Sequence, residues 1–177
     1  MVQVIILNGG SSSGKTTIAK CLQNSLHTPW LRFSIDDLIN AMPESMFKTA
    51  SGLKLGDDGS VSPGPEFRTL ESAWKYGIGE MVRKGALVII DDVFISGVEA
   101  RQSWETSLKG LEVLWVGVYC ASTAASAREK QRKDRTEGMA AAQAEAVHIG
   151  IDYDIKVDTT HHSPESCAGK IKKKIHQ

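Results

Sequence analysis

The segment Gly9-Gly10-Ser11-Ser12-Ser13-Gly14-Lys15-Thr16 places two glycines, a lysine and a hydroxyl residue at the spacing G-x4-G-K-T. A phosphate chain needs donors with no bulky side chain in the way, and a glycine-rich turn that opens a helix turns backbone N–H groups onto the oxygens. In this pattern Lys15 reaches the β and γ phosphates, and Thr16 offers its hydroxyl to Mg²⁺. The apolar run Val4 to Leu7 stands directly before the loop and a helical period directly after it, which is the context the motif needs. ATP and Mg²⁺ are the expected ligands, held by Gly9, Gly10, Ser11, Ser12, Ser13, Gly14, Lys15, Thr16 and Thr17.

Further candidates for chemistry lie where other apolar runs stop. Leu87-Val88-Ile89-Ile90 ends in Asp91-Asp92, an acid at a strand terminus that can order magnesium water; Asp91 is the first choice and Asp92 the second. Asp36 follows Arg32-Phe33-Ser34-Ile35, and ligands of parallel sheets collect outside the strand carboxyl ends. A carboxylate there can take the proton of an attacking alcohol and aim it in line. Asp37 competes for that role, and Asp36 could equally cap a short helix. Arg128, Arg132 and Arg135 recur at i, i+4, i+7, as either a solvated stripe or a lid of cations around 128–140; guanidinium groups match charge developing on phosphoryl oxygens. His148 either lines the acceptor pocket or packs in the interior.

Elements that alternate between short buried runs and longer helical periods must hold these residues, the pattern of an α/β fold. Strands are predicted at Val2 to Leu7, Leu31 to Ile35, Ala86 to Ile90, Val113 to Tyr119 and Ile155 to Val157, forming a central five-stranded parallel sheet flanked by helices. Helices are predicted at Lys15 to Leu26, Pro65 to Lys84, Val98 to Leu108, Thr123 to Lys133, Met139 to Ile149 and Pro164 to Ile175. In the second of these, Phe67, Leu70, Trp74, Ile78, Met81 and Val82 form the expected core stripe. The Gly- and Pro-rich stretch Leu55 to Pro65 reads as a loop with a short hairpin.

With 177 residues the expectation is a single domain, its acceptor side around 36–75. Lys and Arg number 21 against 21 Asp and Glu, so no charge excess calls for a nucleic-acid or membrane partner. The three cysteines, Cys21, Cys120 and Cys167, are odd in number and far apart, which suits reduced thiols and a cytoplasmic setting. The partner expected is a small hydroxylated molecule. Met42, Met46, Phe47 and Phe94, near the expected crevice, favour one that is partly apolar and aromatic.

The phosphate loop, the acid after strand two and the Arg-x-x-Arg segment resemble the nucleoside-monophosphate and shikimate kinase group. More narrowly, the chain resembles the chloramphenicol phosphotransferase family. That likeness runs through Ile5-Ile6-Leu7-Asn8-Gly9-Gly10-Ser11-Ser12, Asp36 with Ala41-Met42-Pro43, Gly64-Pro65-Glu66-Phe67-Arg68 and Ile89-Ile90-Asp91-Asp92-Val93-Phe94. It continues in Val113-Leu114-Trp115-Val116-Gly117-Val118, Asp134-Arg135 with Gly138-Met139-Ala140-Ala141, and Val157-Asp158-Thr159-Thr160-His161. The resemblance implies a P-loop kinase fold and transfer of the γ-phosphate of ATP to the primary hydroxyl of chloramphenicol. By the same resemblance Asp36 is the base, Lys15 and Thr16 contact phosphate and magnesium, and Arg132 and Arg135 are lid arginines.

Overall fold

The computed structural model describes residues 1–56, 60–131 and 138–175. In chain order its elements are β1 (Val4–Asn8), α1 (Lys15–Ser25), β2 (Trp30–Ser34), α2 (Ile35–Asn40), a 3₁₀ turn (Glu44–Phe47), β3 (Leu53–Leu55), β4 (Val61–Pro63) and α3 (Pro65–Arg83). They continue with β5 (Leu87–Asp92), α4 (Val98–Ser107), β6 (Val113–Tyr119), α5 (Ser122–Glu129), α6 (Met139–Ala146), β7 (Ile155–Asp158) and α7 (Pro164–Ile175).

Five strands form a parallel sheet in the order β2-β5-β1-β6-β7. The strand feeding the phosphate loop is therefore the middle one, and every residue of β1 is buried. Side chains alternate across a strand, so a strand covered on both faces reads as one apolar run. Ile5 and Leu7 pack under α1 and α7 with Ile18, Leu22 and Ile171; Val4 and Ile6 pack on the other face with Ile78, Val82 and Trp104 of α3 and α4. The expected hairpin is present as the antiparallel pair β3–β4, and it belongs to a separate apolar cluster of Leu38, Met46, Leu53 and Phe67.

Several boundaries differ from the sequence expectation. β5 runs through Asp92, so the two acids lie inside the strand and point to opposite faces. The second strand stops at Ser34, and α2 begins at once, with Asp37 as its capping acid: the Asp37 carboxylate accepts the Ser34 N–H at 2.7 Å. α5 ends at Glu129, whose buried carboxylate accepts the N–H groups of Gly138 (2.9 Å) and Ala140 (2.7 Å) at the start of α6. α6 ends at Ala146, before the expected Ile149.

The core stripe of α3 is also corrected. Phe67, Ile78 and Val82 are buried, but Leu70 is 42% and Met81 36% exposed, flanking the stripe rather than filling it. Lys75 takes an inner position at 1% exposure. Its ammonium is 2.9 Å from Glu71 Oε1 and 5.1 Å above the Trp104 ring, which offsets the cost of desolvating a charge.

Candidate active site

The phosphate loop leaves β1, turns, and opens α1. Gly14 takes φ 91°, a left-handed conformation that favours glycine, and Ser12 takes φ 56°, an uncommon value for a residue with a side chain. Gly9 lies against Val118 of β6, while the Ser13 carbonyl accepts the Thr159 hydroxyl at 2.7 Å from the end of β7. Among the described residues the hydroxyls of Ser11, Ser12 and Ser13 are buried without a hydrogen-bond partner. Three orphaned donors in one loop are what a site built for phosphate oxygens leaves when its ligand is not counted.

Next to the loop the register sets Asp91 beside Leu7 on one side and Ser34 on the other. Its Oδ2 accepts the Thr16 hydroxyl at 2.5 Å, and Oδ1 lies 3.8 Å from Lys15 Nζ. Lys15 also donates to the Gly10 carbonyl at 2.9 Å. Lys15 and Asp91 are each 6% exposed, so the charges meet in a poorly hydrated place. A hard-cation site needs oxygen ligands, and Thr16 with Asp91 supplies a hydroxyl and a carboxylate at the loop's mouth, a donor set that fits Mg²⁺ keeping most of its waters.

Asp92 is turned away from this pair. Its carboxylate accepts Trp104 Nε1–H at 2.6 Å and the Val93 N–H at 2.7 Å. Burial raises the Asp92 carboxyl above the usual range, opposed by the Lys75 ammonium and the Trp104 hydrogen bond. Of the two acids, Asp91 alone meets Thr16 and Lys15.

A cleft of about 730 Å³ runs from the phosphate loop across the ends of β2 and β5. Ser11, Ser12, Gly14, Lys15, Thr16, Thr17, Asp91 and Arg128 line it at one end, and Asp36 lines it too. Asp36 thus shares the crevice with Lys15, whereas the competing Asp37 is committed to its cap. Gly9, Gly10 and Ser13 support the loop from behind, against β6, α6 and β7. Arg128 is held by Thr159, donating to its carbonyl at 2.7 Å and its hydroxyl at 3.1 Å. Arg132 and Arg135 lie outside the described residues.

The end of the cleft away from the phosphate loop is walled by Ile35, Ile39, Leu53, Val61 and Phe67, with Ile95 at the rim. These replace the apolar residues expected from sequence. Met46 is buried in the cluster behind the wall with Met42 against it, Phe47 is 37% exposed, and Phe94 is fully buried against Trp115. A polar end went unrecognised. Arg68 donates to Ser96 at 2.7 Å and faces Glu71 at 3.4 Å, and all three line the cleft. The i, i+3, i+7 run of charge Arg68, Glu71, Lys75 was its sequence signal. Gln143 of α6 was also missed; it lines the cleft and accepts the Ser11 N–H at 2.9 Å.

His148 packs in the interior. It stacks on Tyr119 at 3.9 Å between centroids, and its Nδ1 meets the Tyr153 hydroxyl at 2.7 Å. Tyr153 in turn accepts from Asn8 at 2.6 Å, so this group braces the last residue of β1. The cysteines are free; Cys120 and Cys167 are buried and Cys21 is half-buried. No described helix is long and apolar enough to cross a membrane.

Solved structures share this architecture. A sugar kinase from Janibacter superposes with a TM-score of 0.71 at 18% identity, covering 99% of this chain and 95% of its own. A Deinococcus radiodurans tunicamycin resistance protein gives 0.69 at 18% identity over 98% and 95%. Shikimate kinase from Acinetobacter baumannii gives 0.60 at 14% over 99% and 94%. The fold is that of the P-loop kinases.

Sequence carries the relationship further. A Mycobacterium tuberculosis protein provisionally named an O-phosphotransferase is 31% identical over 176 residues, spanning 89% of this chain and 75% of its own length. The model of the chloramphenicol phosphotransferase-like proteins matches residues 2–176. A phosphate loop at the head of a kinase sheet, a cleft reaching past it to a second wall and a match over nearly the whole chain make this enzyme a phosphotransferase and a member of the chloramphenicol phosphotransferase-like family.

Proposed function

We propose that the enzyme moves the γ-phosphate of ATP to a hydroxyl of a small, partly apolar molecule, and that the primary hydroxyl of chloramphenicol is the acceptor. The observation that carries this reading is the single cleft in which Lys15 and Asp36 both stand, with an apolar wall and the Arg68–Glu71–Ser96 group beyond them. A nucleotide switch needs no carboxylate on the acceptor side and no second wall.

In this mechanism the loop amides and Lys15 hold the β and γ phosphates. Thr16 and Asp91 would hold Mg²⁺, which when bound neutralises charge on the phosphate oxygens. Asp36 accepts the proton of the acceptor hydroxyl as its oxygen attacks phosphorus; the bond to the β-phosphate oxygen breaks and ADP leaves. Arg132 and Arg135 are proposed to stabilise charge on the transferring group, with Arg128 on the nucleotide side. Ile39, Leu53, Val61 and Phe67 seat the apolar body and orient its hydroxyl.

The test is ADP release with and without chloramphenicol, read beside mass spectrometry of the product. Acceptor-dependent ADP with a monophosphorylated product supports the proposal. Turnover indifferent to chloramphenicol, with no phosphorylated product, removes chloramphenicol, and a screen of other hydroxylated natural products then follows.

A further inference from the structure

Helix α6 touches the phosphate loop through the Gln143 side chain. Gln143 accepts the Ser11 N–H at 2.9 Å, and an N–H donor requires the amide oxygen as its partner. The orientation of the Gln143 amide is thereby fixed: Oε1 is on the loop, and the NH₂ group is the part left to face the cleft that Gln143 lines. The backbones are equally close. A Cβ on Gly10 would sit 3.1 Å from the Gln143 carbonyl carbon and 3.2 Å from the Ala144 nitrogen, so a side chain here would push α6 back by a few tenths of an ångström.

The surroundings of this contact point to an anion. Ser11 carries a buried hydroxyl with no partner among the described residues, Ser12 beside it carries another, and both residues line the cleft. Lys15, which reaches the β and γ phosphates in a loop of this type, donates to the Gly10 carbonyl, the residue between Gly9 and Ser11. A terminal phosphate drawn to Lys15 would thus stand at the Ser11 edge of the loop, where the Gln143 NH₂ is presented.

We infer that Gln143 is a γ-phosphate-binding residue: its amide oxygen clamps the Ser11 N–H, and its NH₂ donates to a terminal phosphate oxygen of the bound nucleoside triphosphate. α6 then engages differently with a triphosphate and a diphosphate. This inference rests on the reading of Gly9 to Thr16 as a nucleotide site and adds a discriminating contact to it. A hydrogen bond to a charged oxygen is strong enough to show in affinity, and only ligands with a γ-phosphate would gain it.

The experiment is calorimetric binding of the non-hydrolysable triphosphate AMPPNP and of ADP, each with Mg²⁺, to the wild type and to Gln143→Glu, Gln143→Met and Gln143→Ala, with no acceptor present. Gln143→Glu keeps an oxygen for Ser11 and loses the donor. Its added charge repels the phosphates of both ligands, so AMPPNP is expected to weaken about tenfold or more beyond any loss for ADP. Gln143→Met and Gln143→Ala should weaken AMPPNP in the same selective way, with some loss for ADP from the freed loop amide. Equal losses for AMPPNP and ADP in all three variants would make Gln143 a prop of the loop only and overturn the inference. Unchanged binding would overturn it as well. A wild type that binds neither nucleotide would instead refute the nucleotide site itself, a result separable from both.

Discussion

The Thr16 hydroxyl donates to Asp91 Oδ2 at 2.5 Å, joining the first turn of α1 to the end of the neighbouring strand β5. That bond pre-forms an oxygen pair at the place proposed for a magnesium ion. Thr16→Ser keeps the hydroxyl and should keep most activity. Thr16→Val and Asp91→Asn should each lower kcat by about 10²-fold or more and raise the Mg²⁺ concentration for half-maximal rate. Initial rates across a Mg²⁺ titration check this, and a Thr16→Val enzyme with an unchanged Mg²⁺ curve would remove Thr16 from the metal site.

Two adjacent acids should separate cleanly by experiment. Asp36→Asn is expected to fold, bind nucleotide normally and lose about 10²–10⁴-fold in transfer, because it keeps shape and loses the proton acceptor. Asp37→Asn should cost about 1 kcal/mol through the α2 cap and leave kcat within a few fold. Denaturant midpoints and kcat for both variants decide it; the opposite pattern would exchange the two roles.

Lys75 is buried between acids, with Glu71 at 2.9 Å and Asp92 close enough to feel its charge. Lys75→Met removes the ammonium between those carboxylates, leaving Glu71 only its longer contact with Arg68, and should destabilise the fold by about 3–5 kcal/mol. Adding Glu71→Gln should restore part of the loss, since it removes one of the stranded charges. Urea unfolding of the single and double variants measures the coupling. A double variant less stable than either single one would show that Glu71 and Lys75 do not act as a pair.

Burial, with the Lys15 ammonium as the next contribution, pushes the His148 imidazole down to about 4. The unfolded chain binds a proton near its ordinary value of about 6.5, so the folded state holds the neutral ring while the unfolded state charges. Stability from this group is complete above about pH 6.5 and is lost as pH falls toward 4. Its size should be about 1–3 kcal/mol. His148→Gln should flatten the fall in melting temperature over this window, and an unchanged slope would assign the acid sensitivity to other groups.

Most of the sheet was legible in the sequence because strands buried on both faces must be apolar throughout, as Val4 to Leu7, Val88 to Ile90 and Leu114 to Val116 are. The phosphate loop was legible because few other arrangements need two glycines before a lysine. What failed depends on contacts between distant residues. Phe94 looked like a cleft residue until the fold set it against Trp115, and Gln143 is one of many polar helix residues until α6 meets Gly10. Lys75 could not be read as buried, since the cost of burial is met by Glu71 one helical turn away and by Trp104 on another helix. Asp36 and Asp37 were indistinguishable by type. The backbone N–H of Ser34 separates them by claiming Asp37.

The apolar cluster of Leu38, Met46, Leu53 and Phe67 is distinct from the two that cover the sheet, although its residues stand behind or form the acceptor wall. Small satellite clusters open at lower free energy than a central sheet. Amides of β3 and β4 should therefore exchange with solvent well before those of β1, with the phosphate loop's supports still closed. The wall that β3 and β4 help build can thus loosen or reshape without disturbing the sheet that carries the phosphate loop.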